Sequence, residues 1–171
     1  MRRRVRSRFP FVAVIVAALI LLRLFTRSFE PAPFSFDAGK SYRVQRVVDG
    51  DTLLLADGTR VRLLGVDTPE TKHPDIPPEP LGFEASEFTR RHVEGRTVTL
   101  QFDRERRDRY HRVLAYVSLD DWMLNEELIR AGFSRAETPF PYSSAMKRRF
   151  RAAEKEARDN NRGLWANRDN R

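Results

Sequence analysis

Two short carboxylate-bearing segments flank an apolar stretch of the chain and are the first candidates for chemistry. DGDT occupies 49–52 and DTPE occupies 67–70. Carboxylate and carbonyl oxygens suit a hard cation, Ca²⁺ more readily than Zn²⁺, and the chain has no cysteine to supply sulfur. These residue types suggest a cation site built from Asp51, Asp67 and the Thr68 carbonyl.

The two segments can meet only if the chain between them bends. Asp57-Gly58 lies between two apolar runs and predicts a two-residue hairpin turn. The ideal ladder then places Asp51 opposite Leu64 and leaves Asp67 three residues further on, roughly 10 Å away at ~3.3 Å per residue. Gly65 is the natural site for a bulge that removes this gap. The alternative interpretations are a turn at DGDT and a helix N-terminus at DTPE.

Two arginines stand in strands that are otherwise apolar. Arg62 belongs to VRLLGV, and Arg112 immediately precedes VLAYV. Each side chain can lie on a solvated strand face. Each can also place a guanidinium fork beside the cation. A cation and two such forks would stabilise the negative charge of a phosphodiester that becomes a pentacoordinate dianion. The combination favours phosphoryl-transfer chemistry.

The surrounding sequence predicts an α+β fold that begins near Tyr42. Five short strands are predicted: one around Val44 and Val47, one on each side of Asp57-Gly58, and then Arg96–Phe102 and Arg112–Leu119. Helical spacing predicts about three helices: Leu81 to Gly95, a segment capped by Asp121 and ending at Gly132, and one with the stripe Met146, Phe150, Ala153 and Ala157. A small closed five-stranded barrel with helices around it is expected, and the OB-fold is the common nucleic-acid-binding example.

The N-terminal segment differs in character from the rest. Residues 1–27 hold seven arginines and no acid, whereas 28–171 hold 25 basic and 24 acidic residues. An apolar run covers 9–22, and no small-residue cleavage pattern follows it. We therefore expect a membrane anchor over 1–27, a linker over 28–41, a domain over 42–166 and a polar tail over 167–171.

The arginines before the apolar run are expected to stay in the cytoplasm under the positive-inside rule. The domain would then lie outside the cytoplasm, in a periplasmic or extracellular location. A cleaved signal and a secreted domain are the alternative.

Several longer segments carry a family resemblance. Over 42–166 the chain contains, in order, VVDGDTLLLADGTRVRLLGVDTPETKH, LGFEASEF, DRYHRVLAYV, NEELIRAGFSR and RGLW. Together they resemble the staphylococcal nuclease (thermonuclease) family. The resemblance implies an OB-fold barrel with three helices that uses Ca²⁺ to cleave single-stranded or frayed DNA and RNA with little sequence specificity, leaving 3′-phosphate ends. It implies calcium ligation by Asp51, Asp67 and Thr68, phosphate binding by Arg62 and Arg112, and a general base at Glu70.

The nucleotide-binding positions depart from the family pattern. Well-known members have two tyrosines where this chain has Thr138 and Phe140, and Tyr142 is expected to compensate. Tyr110 matches a binding-site tyrosine. It lies with Arg109 in RERRDRYHR, which is either a loop that follows the phosphate backbone or a solvated hairpin.

We therefore predict substrate contacts at Arg109, Tyr110, Phe140 and Tyr142, in a monomer that acts on DNA and RNA. A catalytically silent OB-fold nucleic-acid-binding module, tethered to a membrane, is the alternative function. The presence of Asp51, Asp67, Glu70 and both arginines favours the enzyme.

Overall fold

The computed structural model describes residues 40–71 and 77–166. The predicted membrane segment, nearly all of the predicted linker and the polar tail lie outside these residues. No helix in the described ranges is both long enough and apolar enough to cross a bilayer.

The described chain forms eight strands and three helices. In chain order these are β1 (Ser41–Asp49), β2 (Thr52–Leu55), β3 (Arg60–Leu63), β4 (Val66–Asp67), α1 (Gly82–Val93), β5 (Thr97–Gln101), β6 (Val113–Leu119), β7 (Trp122–Met123), α2 (Leu124–Arg130), β8 (Arg135–Ala136) and α3 (Ser144–Asp159), followed by a 3₁₀ turn at Gly163–Trp165. The strand order β3-β2-β1-β5-β6 closes into a barrel because β3 also pairs with β6 in parallel. The predicted five-stranded barrel with three helices is confirmed.

Buried apolar residues alternate with more exposed residues along the strands, and the buried ones fill the barrel. Val61 and Leu63 of β3 are buried, whereas Arg60 of the same strand is exposed. The predicted stripe of α3 is confirmed, since Met146, Phe150, Ala153 and Ala157 are all buried. Burying the apolar face of α3 against the rest of the domain is the main favourable term holding that helix in place.

The hairpin between β2 and β3 differs from the prediction. The Leu55 N–H donates to the Thr59 carbonyl at 2.9 Å, so the loop has three residues rather than two. Gly58 takes φ 84°, the left-handed conformation that ends such three-residue loops. The extra residue shifts the ladder by one, so Thr52 pairs with Arg62. Asp51 consequently lies opposite Leu63, not Leu64.

The predicted cap at Asp121 was wrong. Asp120 takes φ 53° in the tight turn between β6 and β7, and Asp121 forms the rest of that turn. Two residues of β7 separate it from α2, whose N-cap position is Met123 without a side-chain cap. Asp121 thus belongs to the turn of the β6–β7 hairpin rather than to the helix cap for which the sequence suggested it.

Candidate active site

The chain bends at Gly65, as the carboxylate spacing required. β3 ends at Leu63, and Gly65 takes φ 72° before β4 pairs with β8. A Cβ atom on Gly65 would lie 2.7 Å from Phe150 Cε2, so both the backbone conformation and the close approach of α3 require glycine. This bend turns Asp67 back toward the end of β3.

Arg62 joins the two predicted carboxylate ligands. Its Nη1 lies 2.7 Å from Asp51 Oδ2, and its Nη2 lies 2.6 Å from Asp67 Oδ1. Nη1 also donates to the Val66 carbonyl at 2.7 Å. Asp51 and Asp67 therefore converge on one guanidinium. The helix-cap alternative for 67–70 does not hold, because residues 68–70 have no regular secondary structure and the first helix of the described residues, α1, begins at Gly82.

Asp51 is a buried carboxylate that the neighbouring chain holds in place. Its Oδ2 accepts hydrogen bonds from Thr68 N at 3.0 Å and Thr68 Oγ1 at 3.2 Å, and its Oδ1 accepts from Thr52 Oγ1 at 3.0 Å. Burial raises the pKa of Asp51, and this effect outweighs the opposing charge of Arg62. A buried carboxylate with such fixed donors is preorganised to receive positive charge.

Asp67 is exposed at its side chain but fixed at its backbone. The side chain is 64% exposed, while the Asp67 N–H donates to Ser134 Oγ at 2.9 Å. The buried Ser134 hydroxyl in turn donates to the Arg135 carbonyl at 2.6 Å. No sequence pattern singled out Ser134, since its contact with Asp67 joins residues 67 positions apart.

Glu70 lies on the exposed side of the same acidic region. Its N–H donates to Glu79 Oε2 at 3.2 Å, and the Glu79 N–H donates to the Glu70 carbonyl at 3.0 Å. Partial burial is the largest effect that raises the pKa of Glu70, and the negative charges of Asp49, Asp51 and Asp67 raise it further. A raised pKa makes this carboxylate a better proton acceptor than an ordinary glutamate.

Asp49 supports the acidic region from β1 and was not among the predicted site residues. Its Oδ1 accepts from Thr71 Oγ1 at 3.0 Å and from Ser86 Oγ at 2.9 Å, which connects β1 to the segment after Glu70 and to α1. In residues 40–71 and 77–166, no three carboxylate or imidazole side chains form a ready-made metal-binding group. Asp51 and Asp67 thus approach each other as a pair, and their role as cation ligands stays a prediction.

Asp108 positions the second predicted arginine. Its Oδ2 lies 2.7 Å from Arg112 Nε, and its Oδ1 accepts from Arg112 N at 2.9 Å. Partial burial alone would raise the pKa of Asp108, but the hydrogen bonds from Arg112 and Tyr110 outweigh it and lower the pKa below its ordinary value. The four-residue spacing of Asp108 and Arg112 was the available sequence signal for this pair.

One cleft collects most of the predicted substrate-binding residues. It has a volume of about 550 Å³, and its lining includes Arg62, Arg109, Tyr110, Arg112 and Phe140. Tyr110 is 62% exposed and Phe140 is 59% exposed, so both present aromatic surface to a ligand. The Arg109 guanidinium carbon lies 4.8 Å from the Tyr110 ring centroid. The cleft thus combines cationic forks with aromatic faces.

Tyr142 does not belong to this cleft, and its predicted role in stacking was wrong. It is 6% exposed, and its ring lies 6.0 Å from the Phe150 ring and 6.4 Å from the Tyr116 ring. Burial raises its pKa to about 12. Phe140 is exposed, whereas Tyr142 is buried two residues later, immediately before Ser143, the N-cap residue of α3.

Comparison with known proteins identifies the family. The sequence profile of the family described as "Staphylococcal nuclease homologue" matches residues 60–167. The chain belongs to this family. The thermonuclease of Staphylococcus hyicus is 40% identical over 161 residues, which cover 90% of this chain and 95% of that protein.

Two further family relatives extend the comparison. The thermonuclease of Staphylococcus intermedius is 40% identical over 159 residues, covering 89% of this chain and 94% of that protein. Endonuclease YncB of Bacillus subtilis (strain 168) is 35% identical over 127 residues, covering 72% of this chain and 60% of its own length. Family membership agrees with the resemblance of the motifs, whereas the catalytic and ligand roles of individual residues stay predictions.

Proposed function

We propose that this protein is a Ca²⁺-dependent nuclease that cleaves phosphodiester bonds of single-stranded or frayed DNA and RNA with little sequence specificity. The main support is that Arg62 contacts both Asp51 and Asp67 and lines the same cleft as Arg112. Relatives named thermonuclease and endonuclease support the proposal.

In this proposal the two arginines bind the scissile phosphate. Asp108 holds Arg112 through Nε and the main-chain N–H, so the outer edge of the guanidinium can face the cleft. A planar fork matches two phosphoryl oxygens, and the match improves as the phosphorus becomes pentacoordinate. Arg62 and Arg112 therefore stabilise charge that develops during the reaction.

The residues present fit a calcium ion. Asp51 and Asp67 already share one cationic group, the Arg62 guanidinium, and every donor on offer is oxygen. Asp51, Asp67 and the Thr68 carbonyl would hold the ion, with water and substrate oxygens completing its coordination. When bound there, Ca²⁺ supplies Lewis-acid polarisation of a phosphoryl oxygen and lowers the pKa of a water molecule.

Glu70 is the proposed general base. Its carboxylate accepts a proton from the attacking water, whose oxygen bonds to phosphorus. The bond from phosphorus to the 5′ oxygen breaks, the 5′ oxygen takes a proton from solvent and leaves as a hydroxyl, and the phosphate remains on the 3′ side. The raised pKa of Glu70 favours this proton transfer.

A nuclease assay with the purified protein tests the proposal. We expect single-stranded DNA and RNA to be degraded with Ca²⁺ and to stay intact in excess chelator, with 3′-phosphate ends on the products. Undiminished cleavage in chelator contradicts the metal assignment. Tight binding of the same strands without cleavage under any condition supports the silent binding module instead.

We also propose that the domain lies outside the cytoplasm, tethered by the N-terminal segment. The support is the order of charges: five arginines precede the apolar run, and the linker carries Pro31 and Pro33. A nuclease in that location is kept apart from the cell's own nucleic acid.

A further inference from the structure

The outer face of the barrel carries a row of residues that the cleft does not include. Arg46 on β1 pairs with Leu54 on β2, and Leu54 pairs with Arg60 on β3. Directly paired residues share one face of a sheet, so the three side chains form a row across three neighbouring strands. Arg46 and Arg60 are exposed, and Leu54 is half-buried between them.

This row is continuous with the candidate active site. Arg60 and Arg62 lie two positions apart on β3 and point to the same side of the sheet, since the intervening Val61 is buried in the barrel. Two positions correspond to roughly 6.6 Å along a strand, and Arg46 lies roughly 10 Å from Arg60 across two strand spacings. The three arginines thus follow a path that leads away from the cleft.

Within the described ranges, neither outer arginine forms an ion pair. In the described parts of the chain, no carboxylate lies within ion-pair distance of Arg46 or Arg60. Many other exposed arginines do form such pairs, for example Arg90 and Arg91 with Glu87. Two unpaired guanidinium groups on either side of an apolar side chain suit an anionic backbone whose sugars or bases lie over the leucine.

We propose that Arg46, Leu54 and Arg60 form an additional subsite for a polynucleotide strand. The subsite binds phosphates beyond the scissile one, and Leu54 lies beneath the intervening nucleoside. This inference rests on the proposed nuclease function and predicts that long strands bind more tightly than dinucleotides, which are too short to reach the subsite. Small barrels of this architecture commonly present this sheet surface to oligonucleotides, in agreement with the assignment.

The test uses the full chain and the double variant Arg46→Gln/Arg60→Gln. Binding of a labelled single strand of about 12 nucleotides, a length within the range of one such barrel, is titrated at several salt concentrations in chelator. We expect affinity to fall on the order of tenfold at low salt. The slope of log affinity against log salt should decrease by about 1.4, because each phosphate neutralised on a single strand contributes ~0.7.

A charge-matched control is Lys40→Gln/Arg96→Gln. Both residues are exposed, and Arg96 lies beside His92 and Trp122 in a different surface depression. We expect this variant to keep the parental affinity and salt slope. If both double variants lose affinity equally, net charge explains binding and the subsite is overturned. Parental affinity and slope in Arg46→Gln/Arg60→Gln also overturn it.

Hydrolysis separates the subsite from the proposed function. With Ca²⁺, the parent and Arg46→Gln/Arg60→Gln should cleave a thymidine dinucleotide at equal rates, while KM for the long strand rises only in the variant. If the parent cleaves neither the dinucleotide nor the long strand, the proposed function is refuted. The binding titration then still tests whether the subsite binds a strand. Equal loss on both substrates contradicts the subsite, since a dinucleotide is too short to reach it.

Discussion

At the scale of single residues, the arginines Arg62 and Arg112 carry the sharpest prediction. Lysine preserves the charge at either position but loses the planar fork that binds two oxygens. We expect Arg62→Lys and Arg112→Lys each to lower kcat on the order of 100-fold, the effect of removing one transition-state donor. Turnover of single-stranded DNA measured at saturating substrate checks this.

Arg96→Lys is the matched control, because Arg96 lies outside the cleft. It should retain the parental rate. Parental turnover in the Arg62 and Arg112 variants would mean that neither guanidinium stabilises the transition state.

Asp108 provides a pH-dependent prediction. Because its pKa is lowered in the folded protein, it contributes stability that is fully present above the unfolded-chain value of ~3.9 and is lost as the pH falls through the lower folded value. Asp108→Asn should therefore lower the free energy of unfolding by about 2 kcal/mol at neutral pH, since hydrogen bonds to a charged group are lost. Urea unfolding at a series of pH values should show the difference shrinking in acid. A constant difference at all pH values contradicts the assigned ion pair.

Phe140 and Tyr142 should respond differently to truncation because one is exposed and the other buried. Phe140→Ala should weaken binding of a single strand by ~1–3 kcal/mol, the value of one stacked base, while leaving the unfolding free energy nearly unchanged. Tyr142→Ala should lower the unfolding free energy by about 3–5 kcal/mol. Fluorescence anisotropy and urea unfolding measure the two quantities, and unchanged affinity in Phe140→Ala would remove it from the substrate site.

At the scale of elements, the bend between β3 and β4 determines whether the carboxylates meet. Gly65 combines φ 72° with the close approach of Phe150, whereas Gly58 takes φ 84° with no atom near its missing Cβ. Gly65→Ala should lower the unfolding free energy by about 2–4 kcal/mol, because it adds a steric clash to the backbone strain. Gly58→Ala should cost about 1 kcal/mol from strain alone.

Thermal or urea unfolding of the two glycine variants checks the comparison. Equal costs would show that the contact between Gly65 and α3 does not constrain the bend. Reduced turnover in Gly65→Ala at temperatures where it stays folded is also expected, because Asp67 moves away from Asp51.

At the scale of the whole molecule, the charge order of the first 27 residues predicts location. The full-length protein in its host should sediment with membranes at its unprocessed mass. Protease added from the non-cytoplasmic side should digest the domain and spare the N-terminal arginines, which face the cytoplasm. A soluble form that begins near residue 28 would indicate a cleaved signal, and a protected domain would contradict the outward orientation.

Properties local to the chain could be predicted from the sequence by itself. The buried stripe of α3, the alternation in β3 and the strands around Asp57-Gly58 follow from periodicity, because each element must bury one apolar face. The prediction of a cation site beside two arginines came from residue types and their spacing, and it stays a prediction. The need for a bend at Gly65 followed from the distance that the predicted hairpin leaves between Asp51 and Asp67.

Only the tertiary structure decided how these pieces meet. The hairpin register depended on one extra loop residue, and a shift of one residue changes which side chains face each other. The sharing of Arg62 by Asp51 and Asp67, and the support of Asp67 by Ser134, join residues that only the folded chain brings together. The burial of Tyr142 and the row formed by Arg46, Leu54 and Arg60 also depend on packing and register across several elements. Sequence periodicity does not encode such long-range pairings, because many registers bury the same apolar faces.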